Sequence, residues 1–179
     1  RHGTIRTYSI GLEDSPDLAA AREVAACIGS EHTEVVFTIA EGLSAIPEVI
    51  RAVETCDITT VRASVPMYLL AKKVSRDGVR VMLSGEGSDE LFAGYAYNRF
   101  APSPKALFDE CVEKMDNLHA YDCQRANKSC AAWGVECRVP FLDLAVVDFA
   151  MNRMRPEEKM WRNMSKEFLR EEFLGTLPD

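Results

Sequence analysis

Residues 4–10 (TIRTYSI) read as a short strand, followed by a turn over residues 11–16. Pro16 suits the first turn of a helix, with Ser15 as its cap. Leu18, Ala21, Val24, Ala25 and Ile28 then recur at helical spacing, and Gly29 ends the run. Residues 33–37 (TEVVF) predict a second strand. Thr38 and Glu41 form a capping-box pattern that opens a second helix through Leu43, Ile46, Val49, Ile50 and Val53. Pro47 lies inside that pattern and is expected to kink or divide it. A third helix is predicted over residues 66–76, ended by Asp77 and Gly78. Residues 79–83 (VRVML) have the continuous apolar end of a buried parallel strand.

Strand, helix, strand, helix, helix, strand is the order of an α/β doubly wound parallel sheet. From Ser103 the pattern turns helical: Leu107, Cys111, Val112, Met115 and Leu118 share a face, and helix-like sequence continues through Trp133. Shorter helices are expected after Pro140 and near Met164. Met67, Tyr68, Phe92, Tyr95, Tyr97 and Trp133 read as core. The prediction is one domain over residues 1–179, with a mainly helical second half packed on the first.

Composition narrows the class. The chain has 179 residues, 47% of them hydrophobic and 27% charged, the balance of a folded globular domain. No apolar run is long enough to cross a bilayer, so no membrane partner is expected. A net charge of −7 argues against a nucleic-acid surface but not against ATP, whose phosphate pocket is local. Cys27, Cys56, Cys111, Cys123, Cys130 and Cys137 include no C-x-x-C pair, and histidine is scarce, so a zinc site is not indicated. All six read as free thiols of a reducing compartment, and a cytoplasmic location follows.

The most informative segment is 84–90 (SGEGSDE), between the strand ending at Leu83 and helix-like sequence from Leu91. Ligands of open parallel sheets bind at the carboxyl ends of strands. Gly85 and Gly87 let the backbone bend and approach a ligand. Glu86, Asp89 and Glu90 form an oxygen-rich, histidine-free cluster of the kind that suits Mg²⁺. The same residues also fit an acidic helix start, with Ser88 as N-cap and Asp89 and Glu90 favoured by the helix dipole. Both readings stand on composition alone.

The longer segment LSGEGSDELFAGY (residues 83–95) resembles a signature of the asparagine synthetases, a branch of the ATP pyrophosphatase superfamily. So do residues 56–64 (CDITTVRAS), 121–128 (YDCQRANK) and 133–143 (WGVECRVPFLD), in that family's order and spacing. The resemblance covers essentially the whole chain.

It implies a fold like that of the adenine nucleotide alpha hydrolases and an activity. The side-chain carboxylate of aspartate would be activated by MgATP to a β-aspartyl-adenylate, releasing pyrophosphate. Ammonia, freed from glutamine by an N-terminal glutaminase domain on the same polypeptide, would then give asparagine and AMP. The implied cofactors are ATP and Mg²⁺, and a homodimer is the implied assembly. By the same resemblance Ile10 lies against adenine, and Ser84, Gly85 and Gly87 present backbone to the nucleotide. Asp89 ligates Mg²⁺, and Glu86 takes a proton from incoming ammonia. Thr59 and Thr60 supply hydroxyls, and Arg62 grips carboxylate or phosphate. Asp122 and Arg125, three apart on a helix, steer aspartate or ammonia. Arg138, Pro140, Phe141 and Asp143 read as structural.

The chain departs from the family pattern in three places. The Ser-Gly-Gly-x-Asp-Ser loop that wraps the ATP pyrophosphate is not found and is expected upstream of Arg1. A lysine used near the phosphates is expected after Asp179. The stretch 159–166 reads as slightly short. The chain by itself is therefore not expected to turn over ATP. Two alternatives are a related synthetase that adenylates another carboxylate, and a nucleotide-sensing module without catalysis.

Overall fold

The computed structural model describes residues 3–160 and 164–178 and is a mixed α/β structure, mostly helical. It divides into two compact units. The first comprises residues 1–82, 125–137 and 175–179, and the second residues 83–124 and 138–174. The helix α6 (Asp122–Ala131) begins in the second and continues in the first.

In the first unit, β1 (Arg6–Gly11) and β2 (Glu31–Val36) pair in parallel, from Arg6 opposite Glu31 to Gly11 opposite Val36. α1 (Pro16–Ile28) connects them, with Pro16 in its first turn and Gly29 closing it at φ 64°. Ser15 occupies the N-cap, but its side chain makes no capping bond. The capping box is formed as read. Glu41 N–H donates to Thr38 Oγ1 (3.1 Å), and Thr38 N–H donates to Glu41 Oε2 (2.7 Å). α2 (Ile39–Val53) runs unbroken through Pro47. Of the kink or division expected at Pro47, the division does not occur. Ala45, Val49 and Val53 fix the helix against Val61, Val65 and Tyr68 of α3 (Ile58–Arg76), while Pro47 stays exposed. α3 starts eight residues earlier than read, because Asp57 caps it: Thr60 N–H donates to Asp57 Oδ1 at 2.7 Å. Those amide bonds hold the Asp57 carboxyl below its usual range. Tyr68 meets Trp133 edge-on, centroids 5.2 Å apart, and a second cluster gathers Ala71, Val74, Cys130 and Val135.

β3 (Val81–Leu83) and β4 (Glu136–Arg138) form another two-stranded sheet. The described residues therefore hold two separate strand pairs, not one continuous doubly wound sheet. Strand order is set by long-range pairing, which local pattern does not encode.

The second unit is built from α4 (Ser88–Leu91), α5 (Pro104–Asn117), α7 (Leu144–Asp148), α8 (Pro156–Lys159) and α9 (Glu167–Glu172). Leu91, Phe92, Ala150 and Met154 form its centre, with Phe141 and Phe168 against Phe92. Ala93, Leu107 and Cys111 make an adjoining cluster. Ser103 caps α5, accepting from Ala106 N–H at 3.1 Å. Ser103→Ala is expected to lower the unfolding free energy by about 1 kcal/mol, read as a drop in urea midpoint at unchanged slope. Restoration by Ser103→Asp would support the cap; an unmoved midpoint would dismiss it.

Tyr68 and Phe92 are buried as expected, and Met67, Tyr95 and Trp133 are half-buried. Tyr97 is not core: it is exposed and donates to Glu110 Oε1. None of the six cysteines is in a disulfide; Cys111 and Cys130 are buried, and Cys27 and Cys56 are exposed. No described helix is long and apolar enough to cross a membrane. Residues 161–163, within the stretch read as short and beside the helix expected near Met164, lie outside the described residues.

Candidate functional site

The loop between β3 and α4 belongs to the second unit from Leu83 onward. Ser84 N–H donates to the Arg138 carbonyl (2.9 Å), and Ser88 N–H donates to the Gly85 carbonyl (3.3 Å). Gly87, not Ser88, is the N-cap of α4, with φ at 91°. A Cβ at Gly87 would lie 2.3 Å from Leu142 Cδ2, so both backbone angle and space call for glycine.

The three carboxylates of the loop separate in role. Glu90 is buried and accepts a hydrogen bond from Tyr95 Oη. Burial first, then that bond and the Glu90 charge, push the Tyr95 phenol above its ordinary range, so it stays a donor. Glu90 is thereby committed to the fold. Glu86 and Asp89 are half-buried. Asp89 is the second residue of α4, and its Oδ1 stands 3.1 Å from Lys166 Nζ. Its carboxylate rests on bare backbone: a Cβ on Gly94 would lie 1.8 Å from Asp89 Oδ1 and 2.8 Å from its Cα. Gly94 N–H donates to the Asp89 carbonyl at 2.8 Å.

The other sequence candidates fall in both units. Ile10 is half-buried in β1, opposite Val35. Thr59, Thr60 and Arg62 lie in the opening turns of α3. Thr60 is buried and its amide serves the Asp57 cap, while Thr59 is exposed. Arg62 lines an apolar cleft of about 600 Å³ whose walls include Leu12, Phe37, Leu43, Ile46 and Cys56. Asp122 opens α6, and Arg125 follows one turn later. Ser84, Gly85, Glu86, Gly87, Asp89 and Asp122 are in the second unit; Ile10, Thr59, Thr60, Arg62 and Arg125 are in the first.

No group of three His, Cys, Asp or Glu among the described residues could cage a metal. Mg²⁺ does not need one. It commonly binds through one or two carboxylates, completing its shell with waters and phosphate oxygens. A half-buried Asp89 is compatible with that mode.

The asparagine synthase family model matches residues 1–110 and 99–179. The chain belongs to the asparagine synthase family. It is 52% identical over 176 residues to the glutamine-hydrolysing asparagine synthetase B of Escherichia coli K12, covering 97% of this chain and 32% of that protein. A probable glutamine-hydrolysing asparagine synthetase of Schizosaccharomyces pombe is 54% identical over 163 residues, 91% of this chain and 29% of the relative. Asparagine synthetase 3 of Arabidopsis thaliana is 53% identical over 158 residues, 88% and 27%. The chain thus spans about a third or less of the length of these relatives.

In this asparagine synthase family chain, sequence reading missed two lysines beside the loop. Lys166 pairs with Asp89 and sits at φ 53°, an unusual angle for a side-chain-bearing residue. Lys159 is fully buried, its Nζ 2.6 Å from the Leu91 carbonyl. Neither announces itself in sequence, where Lys159 ends the charged run PEEK and Lys166 follows Met164 and Ser165.

Proposed function

We propose that this chain forms the nucleotide-binding part of a glutamine-hydrolysing asparagine synthetase that converts aspartate to asparagine. The reading rests above all on the way the loop of residues 84–94 seats Asp89: a left-handed Gly87 starts α4, and Gly94 leaves only hydrogen where Asp89 packs. Such close backbone packing around a half-exposed carboxylate is more than a helix cap requires. Family membership supplies the chemistry that the loop would serve.

In this reading MgATP adenylates the side-chain carboxylate of aspartate, forming a β-aspartyl-adenylate and releasing pyrophosphate. Ammonia then forms the C–N bond, the bond from carbonyl carbon to phosphate oxygen breaks, and AMP departs with the electron pair. Glu86 accepts the proton shed by nitrogen. Ser84, Gly85 and Gly87 offer backbone to the nucleotide, Ile10 would lie against adenine, and Arg62 would supply one cation for carboxylate or phosphate. Thr59 adds an exposed hydroxyl, whereas Thr60 acts through its amide in the Asp57 cap. Asp122 and Arg125 orient aspartate or ammonia. Asp89 would hold Mg²⁺, which when bound neutralises charge on the phosphate oxygens. The β1–β2 and β3–β4 pairs would belong to a doubly wound sheet in this reading. Ammonia from a glutaminase domain, a homodimer and a cytoplasmic setting complete the proposal.

The test is AMP and pyrophosphate release from MgATP by the full-length protein, with and without aspartate, with glutamine or ammonia supplied. Aspartate-dependent release of both, with asparagine formed, is expected. Cleavage promoted by a different carboxylic acid would keep the adenylation chemistry and overturn the substrate. Intact ATP with every acid tried would overturn the enzyme reading and leave nucleotide sensing.

A further inference from the structure

Lys159 closes α8 with no exposed surface. Its Nζ donates to the Leu91 carbonyl at 2.6 Å and reaches Met151 Sδ at 3.7 Å. No carboxylate among the described residues stands within ion-pair distance. Burying an ammonium without a counter-ion costs several kcal/mol. Methionine or leucine would fill the same buried space beside Met151 without that cost. The charge therefore needs a reason other than packing.

The carbonyl it reaches supplies one. Leu91 is the last residue of α4, whose second residue is Asp89. A helix of four residues cannot hold itself, since nucleation costs more than its few bonds return. Gly87 offers no capping side chain, and past Phe92 the chain turns sharply through Ala93 at φ 52°. An ammonium at this end meets both an orphan carbonyl and the negative pole of the helix.

We propose that Lys159 is a positioning residue: its buried ammonium fixes the Leu91 carbonyl, and through α4 the direction in which Asp89 is presented. The inference rests on the proposed reading that Asp89 serves the nucleotide. Burial also draws the Lys159 pKa below the ordinary lysine value.

The experiment uses the full-length protein, with Asp89→Ala alongside Lys159→Met. Lys159→Met keeps the volume and removes the charge. It is expected to unfold close to the wild-type temperature, because the desolvation cost relieved by removing the ammonium offsets the Leu91 carbonyl left without its donor. Equilibrium binding of MgATP should nevertheless weaken about tenfold, the loss of one charge-assisted hydrogen bond's worth of orientation. The KM for aspartate should stay within about twofold. Lys159→Arg, which restores a cationic donor, should recover part of the MgATP affinity. Wild-type MgATP binding by a folded Lys159→Met would overturn the proposal, as would MgATP and aspartate weakening together with a falling unfolding temperature. If Lys159→Met does not fold, Lys159→Gln is read in its place against the same outcomes. If Asp89→Ala binds and turns over MgATP like wild type, the reading of the loop has failed; if Asp89→Ala fails while Lys159→Met does not, only the positioning role has.

Discussion

Gly94→Ala should destabilise the protein by about 3 kcal/mol, near the upper end of what overpacking costs. The added methyl would lie 1.8 Å from Asp89 Oδ1, 2.6 Å from its Cγ and 2.8 Å from its Cα. A side-chain oxygen alone could swing away cheaply. The Cα cannot, because it belongs to α4, with Leu91 buried beneath it and the Gly94 amide bonded to the Asp89 carbonyl. Either α4 shifts or the turn after it opens, and both move Asp89. The comparison is Gly85→Ala, whose methyl would meet nothing within 4 Å. That variant should stay within about 0.5 kcal/mol of wild type. Denaturant midpoints for the pair decide the matter. Equal, small losses would mean that the turn adapts freely and that Asp89 is not held as described.

Much of this arrangement was legible beforehand, and the parts that were not share a cause. The β1–α1–β2 run was readable because its signals are local: Pro16 at a helix start, Gly29 at its end and the Thr38–Glu41 box are each settled within a few residues. The strand–glycine–helix form of the loop was readable for the same reason. The start of α3 was misread because residues 58–61 (ITTV) have the β-branched character of a strand. One carboxylate, Asp57, and the burial of Val61 and Val65 against α2 override it. Ser15 and Ser88 looked like caps by residue type, yet whether a hydroxyl turns to an amide depends on geometry that residue type does not carry. The strands were found, but not their grouping into two pairs, since pairing joins residues far apart in the chain. Lys159 is the extreme case. In the segment PEEK it reads as solvated, and only the packing of α5 and α8 shows that it has none of the surrounding water.

Asp89→Asn carries the largest expected effect on activity. The amide keeps the shape that fits against Gly94, and it removes the charge. Stability should change little. The Lys166 partner and Asp89 are both about a third exposed, at 30% and 39%, and pairs of that exposure contribute a fraction of a kcal/mol in salt. Lys166 loses an ion pair but keeps access to water. Activity has no such refuge, because a neutral amide is a poor ligand for a hard cation and offers no charge to balance it. In the full-length protein, aspartate-dependent pyrophosphate release should fall by about 100- to 1,000-fold, the usual cost of removing one preorganised electrostatic group from a reacting site. Added Mg²⁺ should recover part of that loss, since a weakened site fills at higher concentration. A variant with full activity and an unchanged Mg²⁺ requirement would move the metal to other residues. A variant that loses stability in step with activity would make Asp89 a structural partner of Lys166. Expected instead is an enzyme that folds like wild type and demands more magnesium, which ties the shape of this loop to the charge it was built to present.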